Sequence, residues 1–543
     1  MHKYFSIRQT TLVLSILVAM QCALAQTSST DTLLGNVEVS TRYQPDVAES
    51  VKIDIQPTLE DPKVNPPKYT YRFPYVAYKP KAVYSPINPI FIKTETPEDL
   101  FDNYIEIGGG NYLTSYLDAS IHNTRDKYYS YGLKLKHHAS STSENPNQGL
   151  FSQNRISAFG LREKGNDLYA AIDYNRNVVH YYGYIDDTIS RELNDINQIY
   201  NDISANAKWS LKKAKVKSSL DFGINVFDKL GENENTFGVE NLNEFSVGPG
   251  DLHLDLGATY TQLTEMADYK RLFIEVTPHY TFKHKKYTLD LGLSIDYFAE
   301  LDSSTNKIFA APHIKGETYL VPDKLKAYVG VTGDIQKTTL KNLSYENLFL
   351  GNNLTYSNPY TWKIFAGLNG NFTRFIEFGI RLQQEIIQDQ YFFISDTNEL
   401  RNFTTVADDM TKFSLAGEMK FDVNSKLDIG FRGNIYSYNV DSEQEPWHLP
   451  SYDAALFSTI RLADKIYVNA EYFATSARSA RDLKGQTYDL GAINDINLGM
   501  EYRYKKNISG FVTVNNILNK RYELWNNYRS QGLNVLAGVT FSL

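Results

Sequence analysis

Along most of this chain, apolar and polar residues alternate one by one. In the closing stretch Leu533, Val535, Ala537, Val539, Phe541 and Leu543 alternate with Asn534, Leu536, Gly538, Thr540 and Ser542. Side chains of a strand point to opposite faces in turn. One face of this strand therefore seeks lipid or a core, and the other a wet space. Mid-chain, Leu252, Leu254, Leu256, Ala258 and Tyr260 oppose His253, Asp255, Gly257 and Thr259. Leu272, Ile274, Val276, Pro278, Tyr280 and Phe282 likewise oppose Glu275, Thr277 and His279, and the apolar band continues through Tyr287, Leu289, Leu291, Leu293, Ile295 and Tyr297.

From 103 onward such segments begin near 104, 115, 128, 154, 168, 202, 215, 236, 251, 271 and 286. They continue near 307, 323, 360, 374, 412, 425, 453, 465, 496, 508 and 534. Connections alternate between short (163–167, 247–250, 422–424) and long (138–153, 176–201, 337–359, 389–411, 437–452, 477–495). Short periplasmic turns and long extracellular loops are the habit of outer-membrane barrels. The alternation requires a returning strand at 236–246, because the strands at 215 and 251 both leave short turns. The count is then 22, which is even and leaves both barrel ends in the periplasm. The predicted fold is all-β: a transmembrane antiparallel β-barrel of about 22 strands over 103–543, as wide as plugged outer-membrane transporters.

The first 25 residues read as a secretory signal, with Lys3 and Arg8, an apolar run from Leu12 to Met20 and Ala23-Leu24-Ala25 at the cleavage site. The only cysteine, Cys22, lies inside it, so the expected mature chain has no thiol for disulfides or cysteine chemistry. Residues 26–102 carry ten of the eighteen prolines, among them Pro66-Pro67 and Pro86. Proline fixes φ and removes a ladder donor, so an irregular, extended strap is expected there. Without Lys3 and Arg8 the charged residues number 53 basic against 63 acidic. With no basic stripe, nucleic acid is not an expected partner. The 40 Tyr and 29 Phe cluster toward strand ends, as interfacial girdles require.

The run Val514-Asn515-Asn516-Ile517-Leu518-Asn519-Lys520-Arg521-Tyr522, followed by Tyr528, Gly532 and a final apolar strand, resembles the C-terminus of TonB-dependent outer-membrane receptors. Those usually end on an aromatic residue; here Phe541 stands two places before Leu543, and Val539, Phe541 and Leu543 are the expected insertion signal. The stretch from Asp31 to Val39 is similar to their TonB-contacting segment and first plug strand, with Leu34, Val37 and Val39 in the apolar positions. Only 77 residues separate the signal from the first strand, fewer than a full plug needs. Together with Asn103–Tyr112 and Arg176–Tyr184, this resembles a plugless branch of receptor-like barrels common in Bacteroidota. The resemblance implies location in the Gram-negative outer membrane, contact with its lipid, possible engagement of TonB, and transport or reception of a solute. The rival expectation is a non-transporting scaffold for a surface lipoprotein, secretion or barrel-assembly complex.

No catalytic or cofactor residues are expected. Antiparallel pairing about 264–270 places Asp255 opposite His279 with His253 diagonal and Asp290 beside it, so His253, Asp255, His279 and Asp290 could bind a divalent metal. The plainer expectation for the same residues is a hydrated lumen network with one Asp–His hydrogen bond, since barrel interiors are polar. A phospholipase would need Ser and His together on the lipid face, and no single strand carries such a pair. His313 and His448 read as strand-end or loop residues. The 437–452 tip, with Trp447 and Tyr452 near Glu443 and Glu445, could hold a ligand or a partner.

Overall fold

The computed structural model describes residues 101–543 apart from 124–125, 142–148, 184–191, 214, 265–267, 397–401 and 464. The signal, nearly all of the strap, and Leu34, Val37 and Val39 lie outside the described residues.

The chain forms a meander. Its first strands are β1 (Asn103–Gly110), β2 (Thr114–His122), β3 (Tyr129–Ser140), β4 (Phe151–Arg162) and β5 (Asp167–His180). After the short helix α1 (Leu193–Ile196) come β6 (Asn197–Lys213), β7 (Val216–Lys229), β8 (Glu232–Val247), β9 (Gly250–Thr264) and β10 (Tyr269–Lys283). β11 (Tyr287–Glu300), β12 (Asn306–Val321) and β13 (Leu325–Ile335) precede helix α2 (Leu340–Glu346). Then follow β14 (Tyr360–Thr373), β15 (Ile376–Ser395), β16 (Phe403–Asn424), β17 (Leu427–Val440), β18 (Tyr452–Leu462) and β19 (Ile466–Thr475). Two loop strands, β20 (Arg478–Arg481) and β21 (Thr487–Leu490), lead to β22 (Ile493–Lys505) and β23 (Ile508–Asn515). A second loop pair, β24 (Glu523–Trp525) and β25 (Tyr528–Arg529), precedes the closing strand β26 (Asn534–Ser542).

All but the two loop pairs join one 22-stranded antiparallel sheet, and β1 pairs with β26 to close it. At the seam the Asn103 amide donates to the Leu543 carbonyl (2.9 Å) and the Leu543 amide returns the bond to Asn103 (2.8 Å). A closed ladder leaves no edge, so every backbone group inside a bilayer is satisfied. The expected alternation holds. Leu252, Leu256, Ile274, Leu291 and Leu293 are exposed on the outer wall, and Val539, Phe541 and Leu543 stand on the same surface at the seam. Among the described residues no helix is long and apolar enough to cross a membrane; the strands make the crossing. The architecture is that of a Gram-negative outer-membrane barrel.

The expected loop 389–411 is instead largely strand, because β15 runs to Ser395 and β16 starts at Phe403. Tyr391-Phe392-Phe393-Ile394 shows no alternation because both its faces are covered. Tyr391 and Phe393 pack into one apolar cluster, and Phe392 and Ile394 into another around Trp447.

Candidate functional site

The extracellular mouth is covered by the protein's own loops. The segment 336–359, which links β13 to β14, folds inward and carries α2. The Thr339 side chain caps this helix by accepting from the Asn342 amide at 3.0 Å. Glu234, at the outer end of β8 and fully buried, accepts from the amides of Leu340 (2.6 Å) and Lys341 (3.1 Å) and from the Tyr269 hydroxyl (2.8 Å). A carboxylate at free helix amides suits both the unpaired donors and the helix dipole. On β6, Asp202 accepts from Lys341 Nζ (3.0 Å) and the Tyr345 hydroxyl (2.9 Å). The Tyr391 hydroxyl of β15 donates to Glu346 at 2.7 Å; burial raises the pKa of Glu346.

Beyond α2 the chain is held by its carbonyls. Tyr200 donates to Leu348 (2.7 Å), Tyr181 to Leu350 (2.5 Å), buried Lys229 to Gly351 (2.6 Å) and Arg271 to Tyr356 (3.1 Å). With Thr405 of β16 donating to the Thr355 carbonyl at 2.7 Å, strands from β6 to β16 grip one segment. Its apolar side chains complete a core, with Leu340, Leu343 and Leu350 fully buried. The loop between β23 and β26 closes over it, and the Phe349 and Tyr528 rings stack at 3.7 Å. Gly183 permits this contact, since a Cβ there would lie 2.7 Å from the Tyr528 ring.

The 437–452 tip joins the same cap. Trp447 is buried and donates to Glu443 at 2.7 Å, and Glu443 also pairs with Arg481 at 2.6 Å. Trp447 is thus structural, while Tyr452 opens β18 and is exposed. His448 lies in this loop as expected, bonded through Nδ1 to the Phe393 carbonyl at 3.0 Å, with Nε2 buried and unpartnered. Burial, with Arg478 nearby, pushes its pKa down to about 3. An unfolded histidine titrates near 6.5. The cap therefore has its full stability above that value and loses it as pH falls toward 3. At pH 4.5 the loss is about 2.7 kcal/mol, roughly a hundredfold in local opening. Acrylamide quenching of tryptophan should rise between pH 7.5 and 4.5 in the native chain and stay level in His448→Gln.

Beneath the cap lies a cavity of 2190 Å³. Tyr104, Glu106, Lys136, Lys412, Arg432 and Arg503 are among its lining residues, giving it a charged, aromatic wall.

The lumen wall also carries the predicted histidines, in a different register. His279 pairs directly with His253, and Asp255 faces Thr277. His279 also stands opposite Gly292, and Gly292 opposite His313. His313 is therefore a mid-strand, inward residue and not a strand-end one. The His253 and His279 rings stack at 4.5 Å and 4°, and the His279 and His313 rings meet at 4.7 Å and 32°. His313 Nε2 lies 3.6 Å from Asp290 Oδ2.

A second constellation lies on the outer wall. Ser115 Oγ is 2.8 Å from His137 Nε2, and His137 Nδ1 is 2.7 Å from Asn154 Oδ1. This is the order of a nucleophile, a base and its orienter. No single strand shows it, because its members come from β2, β3 and β4, which only the register brings together.

No family model matches the chain, and no curated protein matches it in sequence. Solved structures share its fold. The FrpB iron transporter from Neisseria meningitidis (F5-1 variant) aligns with a TM-score of 0.67 at 8% identity, over 82% of this chain and 83% of its own. The siderophore receptor PiuA from Acinetobacter baumannii aligns with 0.62 at 11%, covering 81% and 82%. The copper transporter OprC aligns with 0.63 at 11%, covering 82% and 81%. These relatives in fold are transporters and receptors, not enzymes.

Proposed function

We propose that this barrel admits a solute across the outer membrane through its lumen, as a receptor-like transporter of the plugless kind. The observation that carries this reading is the cap. Loops folded inward over a wide, charged cavity make an outer gate above a passage, and a chain serving only as a membrane anchor has no use for one. The iron, copper and siderophore proteins of the same fold support the reading. Residues 26–102 would enter the lumen as an abbreviated plug, with Leu34, Val37 and Val39 offered to TonB from below.

The proline-rich strap favours a second reading, because ten prolines within residues 26–102 also suit a tether for a periplasmic or outer-membrane partner. Bilayer conductance of the full chain and of a 27–100 deletion separates the two. Transport through a strapped lumen predicts a severalfold rise in conductance on deletion. Unchanged conductance, with stoichiometric partners retained on purification from native membranes, would select the scaffold.

A further inference from the structure

We infer that His279, Asp290 and His313 form a binding site for a divalent first-row metal ion on the periplasmic half of the lumen wall. The site does not depend on the transport reading. One ligand atom from each of the three residues lies within 4.8 Å of the other two. About 3.3 Å separates neighbouring donors around a tetrahedral ion with bonds near 2.0 Å, so side-chain rotation alone closes the set.

Three features favour a metal over an ordinary polar network. The first is Asp290. Its Oδ1 is buried and has no hydrogen-bond partner, while Oδ2 faces His313 Nε2 at 3.6 Å, beyond hydrogen-bonding distance. A buried carboxylate oxygen left unsatisfied is costly, and a cation supplies what it lacks. Lys315, directly across from Asp290, does not supply it, since its ammonium pairs with Glu317 at 2.5 Å.

The second is Gly292. It sits in the row between His279 and His313, and a Cβ there would lie 2.4 Å from the Cβ of His279. Only glycine lets two imidazoles from strands on either side meet over the middle strand. The third is orientation. His279 Nδ1 lies 3.4 Å from the Thr277 carbonyl, and the parallel His253 ring backs it at 4.5 Å. A carbonyl at one ring nitrogen turns the other toward the metal, as outer partners of ligating histidines commonly do. Two imidazoles and one carboxylate suit Zn²⁺, Co²⁺ or Fe²⁺ and leave open positions for water or a passing ligand. Asp255, opposite Thr277, falls outside the set.

The test uses the full chain without a histidine tag, folded in detergent, stripped with chelator and titrated with Co²⁺, followed by visible absorption and metal analysis. The site predicts one Co²⁺ per chain, displaced by Zn²⁺. Asp290→Asn and His313→Ala should each weaken binding by roughly tenfold or more, as should Gly292→Ala, while Asp255→Ala leaves it unchanged. Heat-modifiable migration on gels establishes that each variant is a folded barrel. Absence of saturable binding to the native chain would overturn the assignment. So would binding that survives both Asp290→Asn and His313→Ala, or that falls as far in Asp255→Ala.

Discussion

Replacing Glu234 with alanine is expected to unfasten the cap while the barrel stands. That carboxylate is fully buried and accepts three hydrogen bonds: two from the first turn of α2 and one from Tyr269. Its removal leaves two helix amides and a hydroxyl without their acceptor, at about 1–3 kcal/mol for each buried group. A local loss of about 3–5 kcal/mol follows, and with tenfold per 1.4 kcal/mol, amide exchange across 340–358 should accelerate a hundredfold or more. The sheet keeps its ladder, so strand amides should keep their protection. Glu234→Gln retains an acceptor oxygen and should fall between. Unchanged exchange in Glu234→Ala would mean that the loop is held by its apolar core alone. In bilayers the alanine variant should conduct more than the native chain if the cap is the outer gate.

The second large effect is at the seam. Gly538 on β26 faces Gly108 on β1 and Phe511 on β23. A Cβ at 538 would lie 2.2 Å from the Ile107 carbonyl oxygen and 2.6 Å from the Phe511 ring. The ring could turn aside; the carbonyl belongs to the strand that closes the barrel and cannot. Gly538→Ala should cost about 3 kcal/mol, the upper range for overpacking, at the joint where the last strand meets the first. Folded, heat-modifiable barrel in the outer-membrane fraction should fall steeply. Gly510→Ala is the control, since its Cβ would meet nothing nearer than the Gly538 carbonyl at 3.8 Å. Equal yields from the two variants would remove steric closure as the reason for glycine at 538.

The barrel was legible in the sequence because lipid outside and water inside force a period of two, and because short turns mark every second connection. Strand starts at 360, 508 and 534 coincide with the structure. The cap was not legible. Phe349, Leu350, Leu354 and Tyr356 follow no period, since a loop buried from several sides answers to no single face. The same cause hid the outer ends of β15 and β16.

The histidine cluster was half visible. Faces were read correctly, but the centre of the β9–β10 connection was placed one residue late. Such an offset shifts every partner by two, which put Asp255 where His253 stands. His313 was missed because its meaning comes from Gly292, a residue with no side chain to notice.

The hairpin of β15 and β16 has a consequence for what reaches the cell. Its strands are 20 and 22 residues long. At about 3.4 Å per residue and a tilt near 45°, they rise roughly 48–53 Å, against about 30 Å of hydrocarbon. The excess extends beyond the hydrocarbon on the outer side, and Phe392, Phe393 and Ile394 brace it from within. An antibody or a phage tail approaching from outside would meet this hairpin together with the loops packed on it. Immune or viral pressure would then fall on the outward hairpin, leaving the lumen free to keep its chemistry while the outward surface changes.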